Sequence, residues 1–246
     1  MPDNRGLDLV HVSDADVQHG AAVIVAAGSG KRMGFDKTLT PVAGEPLICH
    51  AVRAFDLCRN ISEIVVVTAP EREESMADVL KNFSKPVRVV RGGETRQDSV
   101  LAGLSAVSDS CALVAIHDAA RPLVTPDFIS RCFAAAREFG GSVAAERLTD
   151  TLQQEDADGF CDSPVPREGL WRMQTPQVFF RVLLLAAAED AAASGVVLTD
   201  ETSVMRRAGH PVYLVENPDW NIKVTLPRDV GVVDFLLRAR AAESMS

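Results

Sequence analysis

Apolar residues along the 246-residue chain fall into short unbroken runs, separated by stretches where they recur every three or four positions. The runs near Ala21 to Ala26, Glu63 to Thr68, Val87 to Val90 and Leu113 to His117 have strand length, and helical patterns fill the intervals between them. Such alternation predicts βαβ units and a mostly parallel sheet covered on both faces. A helix beginning at Pro46 carries Leu47, Ile48, Ala51, Val52 and Phe55 on one stripe, and Val100, Leu101, Leu104 and Val107 repeat the stripe in a helix over Gln97 to Val107. Proline suits a first helical turn.

Beyond Gly140 the rhythm changes. Residues 141–171 hold short β-prone pieces, the acidic turn "QEDADG" and two prolines, Pro164 and Pro166, with no helical period. A structureless loop of that length is improbable inside a compact domain, so the segment predicts an arm protruding from it. Trp171 is expected to pack at the arm's root. Helices over Arg181 to Ser194 and Glu201 to Ala208, a strand over Val212 to Val215, the β-prone "NIKVT" and a helix after Pro227 complete the pattern. Residues 1–20 are polar and aperiodic and predict an extension ahead of a single domain over 21–246.

Charge narrows the function. Lys and Arg number 25 against 34 Asp and Glu, a formal charge of -9, which argues against broad binding to nucleic acid or a membrane surface. Any anion site must be local. The five cysteines form no CxxC pair and the histidines no HxxxH spacing, so reduced thiols and no protein-built metal site are expected. No apolar run approaches the roughly 20 residues of a membrane span, and the N-terminus lacks a basic-then-apolar pattern; a cytoplasmic enzyme is the expectation.

The first strand leads into "VIVAAGSGKRMGFDK" (Val23 to Lys37), where Gly28, Gly30 and Gly34 surround Lys31, Arg32 and Lys37. Ligands of open parallel sheets bind outside the carboxyl ends of the strands. Glycines there let backbone N–H groups turn onto phosphate oxygens, and the side chains add positive charge. The spacing does not fit a Walker loop, because Arg32 follows Gly30-Lys31 and no glycine stands five residues before Gly30. The GxGxxG fingerprint is missed by one position. Asp118 emerges at the end of a buried run, where a carboxylate needs a partner. His117 reads as a hydrogen-bonded structural residue. Lys223, taken alone, reads as a solvated strand lysine.

"AAGxGxRM…K" is followed in order by "GGETRQDSV" (Gly92 to Val100), "HDAARP" (His117 to Pro122), "QTPQ" (Gln174 to Gln177), "TDE" (Thr199 to Glu201) and "NIKVT" (Asn221 to Thr225). Together these resemble the 2-C-methyl-D-erythritol 4-phosphate cytidylyltransferase family of alditol-phosphate nucleotidyltransferases, over nearly all of residues 21 to 230. The resemblance implies a three-layer αβα, Rossmann-like nucleotidyltransferase fold and transfer of a cytidylyl group from CTP, with Mg²⁺ carried mainly by the triphosphate. It assigns CTP binding to Ala26, Ala27, Gly28, Ser29, Gly30, Gly93, Glu94, Ser99 and Ala119. Catalysis is assigned to Arg32, Lys37, Lys223 and Asp118, and the alditol phosphate to Asp118, Arg121, Thr151, Arg167, Thr175 and Thr199. Arg121 is left between two roles, holding Asp118 or contacting substrate. The arm is expected to embrace a second subunit, so that Thr151 and Arg167 complete the neighbour's site in a homodimer. Gln153 and Gln154 stand where relatives often carry basic residues, which throws more weight on Arg167. A same-fold enzyme acting on ribitol 5-phosphate or another alditol phosphate is the rival.

Overall fold

The computed structural model describes residues 20–28 and 37–243. The first half of the domain is built from β1 (Gly20–Val25), a small hairpin β2 (Pro41–Val42) and β3 (Glu45–Pro46), α1 (Leu47–Leu57), β4 (Ile61–Thr68), α2 (Glu73–Leu80), β5 (Val87–Arg91), α3 (Arg96–Ser105) and β6 (Leu113–Asp118). The second half runs α4 (Pro126–Phe139), β7 (Gly141–Arg147), β8 (Leu152–Glu155), β9 (Cys161–Val165), β10 (Trp171–Phe180), α5 (Arg181–Ala193), α6 (Glu201–Arg207), β11 (Tyr213–Glu216) and α7 (Pro227–Glu243).

Seven strands form one sheet in the order β11-β7-β10-β6-β1-β4-β5. Pairing is parallel throughout except at β10, which runs antiparallel to both β6 and β7. The pleat of β1 explains the layers. Ala22 and Ile24 face a core with Val52 and Phe55 of α1 and Ile129 and Phe133 of α4, while Ala21 and Val23 face Val100 and Leu104 of α3 and Leu184 of α5. Both faces of this strand are therefore dry, and each such aliphatic side chain removed from water stabilises the fold by roughly 1.5–3 kcal/mol. A third cluster, Val42, Leu47, Leu123, Val224 and Val233, seats α7 beside the small hairpin.

Local chemistry sets the breaks. Thr125 caps α4 by accepting from the Phe128 N–H at 3.3 Å, with Pro126 in the first turn. The helix ends at Gly140, whose φ of 87° lies in the left-handed region, and β7 begins at the next residue. Pro46 stands one position before α1 as its N-cap. Four cysteines are buried and Cys161, on β9, is exposed.

Three expectations need correction. The arm does not begin at residue 141: β7 is a buried strand of the main sheet, with Val143, Ala144 and Ala145 fully enclosed, and it pairs with β10 from Arg147 to Trp171. The projection is the hairpin β8–β9 and its flanking turns, between those two strands. Trp171 stands at its root, the Arg147 guanidinium 4.3 Å over its ring. Secondly, "NIKVT" forms no strand; residues 221–225 cross as an irregular strap. Thirdly, Gly20 belongs to β1, and residues 1–19 of the expected extension lie outside the described residues.

Candidate active site

The carboxyl ends of β1 and β6 lie side by side, with Val25 opposite Asp118. The backbone at Ala26 bonds to the carbonyl of Val67 at 2.7 Å, and that of Ala119 to the carbonyl of Val25 at 3.1 Å, so both chains leave the sheet together. A cleft of about 360 Å³ opens above them. Ala26, Ala27 and Gly28 line one wall, Gly93, Glu94 and Ser99 another, and Lys37, Arg96, Asp118, Ala119 and Lys223 also border it. Of the residues expected at a nucleotide, the cleft brings together Ala26, Ala27, Gly28, Gly93, Glu94, Ser99 and Ala119. Ser29, Gly30 and Arg32 lie outside the described residues.

The wall of Gly93 and Glu94 is fixed from α3. Thr95 accepts from the Asp98 N–H at 3.1 Å while the Asp98 carboxylate accepts from the Thr95 N–H at 3.0 Å, a reciprocal cap that sets the turn. Gly92 is required by crowding: a Cβ there would stand 2.6 Å from Ser99 Oγ and 2.7 Å from the Ala27 Cβ, closing the gap between the two walls. Arg72, on a 3-10 turn after β4, donates to the carbonyls of Ala27 and Gly28, both at 3.2 Å.

Positive charge converges on the cleft floor. Lys223 Nζ lies 2.7 Å from Asp118 Oδ2, and Lys37 Nζ donates to the carbonyl of Val224, the next residue, at 2.9 Å. The two ammonium groups therefore share one cavity. Asp118 also meets Arg121 Nε at 3.6 Å and Arg96 Nη2 at 3.7 Å. Burial alone would raise its pKa; Lys223 first, then Arg96 and Arg121, outweigh burial and hold the carboxyl at about 2.

Arg121 donates to the carbonyls of Asn221 at 2.7 Å and Met173 at 3.4 Å, so its guanidinium braces the strap as well as Asp118. His117 is enclosed. The Thr175 hydroxyl accepts from the Asp118 N–H at 3.1 Å, which leaves its proton for His117 Nδ1 at 3.0 Å, and His117 Nε2–H then donates to the Arg121 carbonyl at 3.0 Å. Burial lowers the imidazole pKa to about 4, so it is neutral and structural.

A second cleft, about 270 Å³, adjoins the first across Arg96, Asp118 and Lys223 and takes in Arg121, Thr175 and Thr199. A carboxamide cluster stiffens it: Gln174 Oε1 accepts from Asn217 at 3.1 Å and from Asn221 at 3.0 Å, while its amide donates to Glu146 at 3.1 Å. Thr151 and Arg167 lie on the projecting hairpin, where Arg167 donates to the Thr149 carbonyl at 2.5 Å, and neither lines these clefts.

Sequence reasoning gave no role to Arg96 or Glu201. Arg96 lines both clefts and grips the buried Glu201 carboxylate with two bonds of 2.7 and 2.9 Å. Their available signal was membership of "GGETRQDSV" and "TDE". Among the described residues no group of three or more His, Cys, Asp or Glu side chains forms a metal cage, and no helix is long and apolar enough to cross a membrane.

The family model described as IspD, 2-C-methyl-D-erythritol 4-phosphate cytidylyltransferase, matches residues 21–239. A 2-C-methyl-D-erythritol 4-phosphate cytidylyltransferase of Caldanaerobacter subterraneus is 41% identical over 223 residues, covering 89% of this chain and 98% of that protein. One from Synechocystis is 38% identical over 226 residues, covering 90% and 98%. Among solved structures, the 4-diphosphocytidyl-2C-methyl-D-erythritol synthase of Anaerococcus prevotii superposes with a TM-score of 0.81 at 28% identity, covering 92% of this chain and all of that one. The cytidylyltransferase of Thermus thermophilus gives 0.75 at 31% identity, covering 88% and 98%.

Proposed function

The chain belongs to the 2-C-methyl-D-erythritol 4-phosphate cytidylyltransferase family, and from that premise we propose how its two adjoining clefts divide the reaction. The enzyme transfers a cytidylyl group from CTP to 2-C-methyl-D-erythritol 4-phosphate, giving 4-diphosphocytidyl-2-C-methyl-D-erythritol and pyrophosphate, in isoprenoid precursor synthesis. CTP takes the cleft between Ala26–Gly28 and Gly93–Glu94, with the base toward Ser99 and the phosphates toward Lys37 and Lys223. The alditol phosphate takes the cleft of Arg121, Thr175 and Thr199. A phosphate oxygen of the acceptor attacks the α-phosphorus; the bond from that phosphorus to the bridging oxygen breaks, and pyrophosphate leaves with the electron pair. The nucleophile is already ionised, so no general base is needed. The barrier is the approach of two polyanions, which Lys37 and Lys223 offset by charges aimed at the transferring group, a role the motif assigns to Arg32 as well.

The observation that carries this reading is the meeting of Lys37 and Lys223, from opposite ends of the chain, on the Val224 carbonyl and Asp118. A magnesium ion borne by the triphosphate fits the donors present, since such an ion keeps most of its waters and asks for one or two carboxylates. The triphosphate oxygens would carry the ion, which would neutralise their charge, and Asp118, already faced by Lys223, Arg96 and Arg121, would meet it only through the waters it keeps. Thr151 and Arg167 reach an acceptor only if the hairpin serves a second copy, so the enzyme acts as a homodimer with exchanged arms. Four thiols enclosed in the domain suit a reducing compartment, the cytoplasm.

The test is pyrophosphate release from CTP and Mg²⁺ with each acceptor in turn. Turnover with methylerythritol phosphate and little with ribitol 5-phosphate is expected; the reverse order would overturn the substrate assignment.

A further inference from the structure

Lys223 is committed twice over. Resting on the reading above, it must neutralise phosphate oxygens, yet in this structure its ammonium lies 2.7 Å from Asp118 Oδ2. Asp118 is only 8% exposed, and a carboxylate so enclosed does not give up its nearest cation without a substitute. Two guanidinium groups stand within reach of it. Arg121 is occupied with the carbonyls of Asn221 and Met173 and faces the same carboxylate oxygen as Lys223. Arg96 faces the other oxygen, Oδ1, at 3.7 Å.

The position of Arg96 is fixed from behind. Its Nη1 and Nη2 each donate one hydrogen to Glu201, a carboxylate 3% exposed at the start of α6, in a planar fork that lysine cannot reproduce. Asp200 caps the same helix by accepting from the Ser203 N–H at 2.9 Å, and its other oxygen accepts from Gln177 at 3.2 Å. The Leu198 N–H donates to Gln97 at 3.2 Å, tying the approach to α6 to the residue after Arg96. Among the described residues Arg96 is thus the one guanidinium that borders both clefts on a rigid mount. The two charges of the fork support each other: burial would lower the arginine pKa, and Glu201 chiefly, then Asp118, keep the guanidinium charged.

We propose that Arg96, anchored by Glu201, is a positioning residue that holds Asp118 by its second oxygen, so that the Lys223 ammonium is released to the phosphates during transfer. Without it, Asp118 is left to hold Lys223 more tightly, and the lysine reaches the transferring group less often. The effect falls on turnover at saturation more than on affinity for either substrate, because Arg96 acts through Asp118.

A double-mutant cycle tests this. Arg96→Met is combined with Glu201→Gln, which removes both charges and orphans neither, and the pair is introduced into the native protein and into the Asp118→Asn variant. Pyrophosphate release at saturating CTP and methylerythritol phosphate gives kcat, with thermal midpoints recorded alongside. The expected result is a fall in kcat of about tenfold or more in the native background, with each KM changed less than about threefold, and a fall of less than about twofold in the Asp118→Asn background. Equal falls in both backgrounds, or a native-background kcat within about twofold of the unsubstituted enzyme, would overturn the inference. Should the combined variant not fold, Arg96→Lys carries the same cycle, since it keeps one charge and loses the fork. Failure of the native enzyme to use methylerythritol phosphate would instead sink the functional reading, and this inference with it.

Discussion

Replacing Asp118 by Asn removes one oxygen's charge from beneath three cations, and the structure fixes what that costs. The carboxyl is held at about 2 against an ordinary 3.8, with Lys223 the largest contributor opposing burial. Each unit is worth about 1.4 kcal/mol, so the folded state favours the ionised form by roughly 2 kcal/mol. The variant forfeits that and leaves Lys223, Arg121 and Arg96 facing a neutral amide. For a chain of this size the expected drop in thermal midpoint near neutral pH is about 4 to 8 °C. The pH dependence has a definite sign. Because the folded pKa is depressed, the contribution is complete above about pH 4 and disappears as pH falls towards about 2. Urea unfolding of both proteins over that range, with pyrophosphate release measured at neutral pH, checks each part. Midpoints that coincide near neutrality, or a stability gap that fails to narrow towards acid, would refute the electrostatic account of the cleft floor.

Lys37→Ala is expected to fold and to turn over at least about a hundredfold more slowly, the loss typical of one preorganised charge stabiliser; a steady-state assay with a circular dichroism control decides it. Arg167→Ala should raise KM for the acceptor while leaving KM for CTP within about twofold, and mixing it with a Lys37→Ala partner should restore activity if arms are exchanged between subunits. Substrate titrations and mixed-dimer assays read both. His117, held near 4 by burial, should keep the chemical shifts of a neutral Nε2–H imidazole down to about pH 5 in an NMR titration. Gly92→Ala should weaken CTP binding, measured by calorimetry, because its Cβ would drive Ala27 and Ser99 apart.

The sheet was legible because β1, β4 and β6 are buried on both faces and so appear as unbroken apolar runs, bounded by helices with a clear stripe. β7 escaped recognition for a physical reason. "GSVAAER" is short, rich in alanine and followed directly by the polar hairpin, so the strand and the arm share one signature. "NIKVT" misled in the other direction: Ile222 and Val224 alternate as in a strand, but the Val224 N–H is taken by Ala120 and its carbonyl by Lys37, leaving no ladder to join. In the site, the glycine loop and Asp118 announced themselves by being odd at strand ends. Lys223 was visible only through its motif. The Arg96–Glu201 fork was hidden because its members stand 105 positions apart and each looks ordinary on its own helix. Distance along the chain, rather than weak chemistry, concealed it.

The strap over residues 221–225 is stitched at Asn221 to Arg121, at the Val224 amide to Ala120, and at the Val224 carbonyl to Lys37. A ligand that draws Lys37 or Lys223 towards itself therefore slackens a thread that also runs through the neighbouring compartment. Whatever factor CTP imposes through this short stretch of irregular backbone on the grip for the alditol, the alditol must return to CTP.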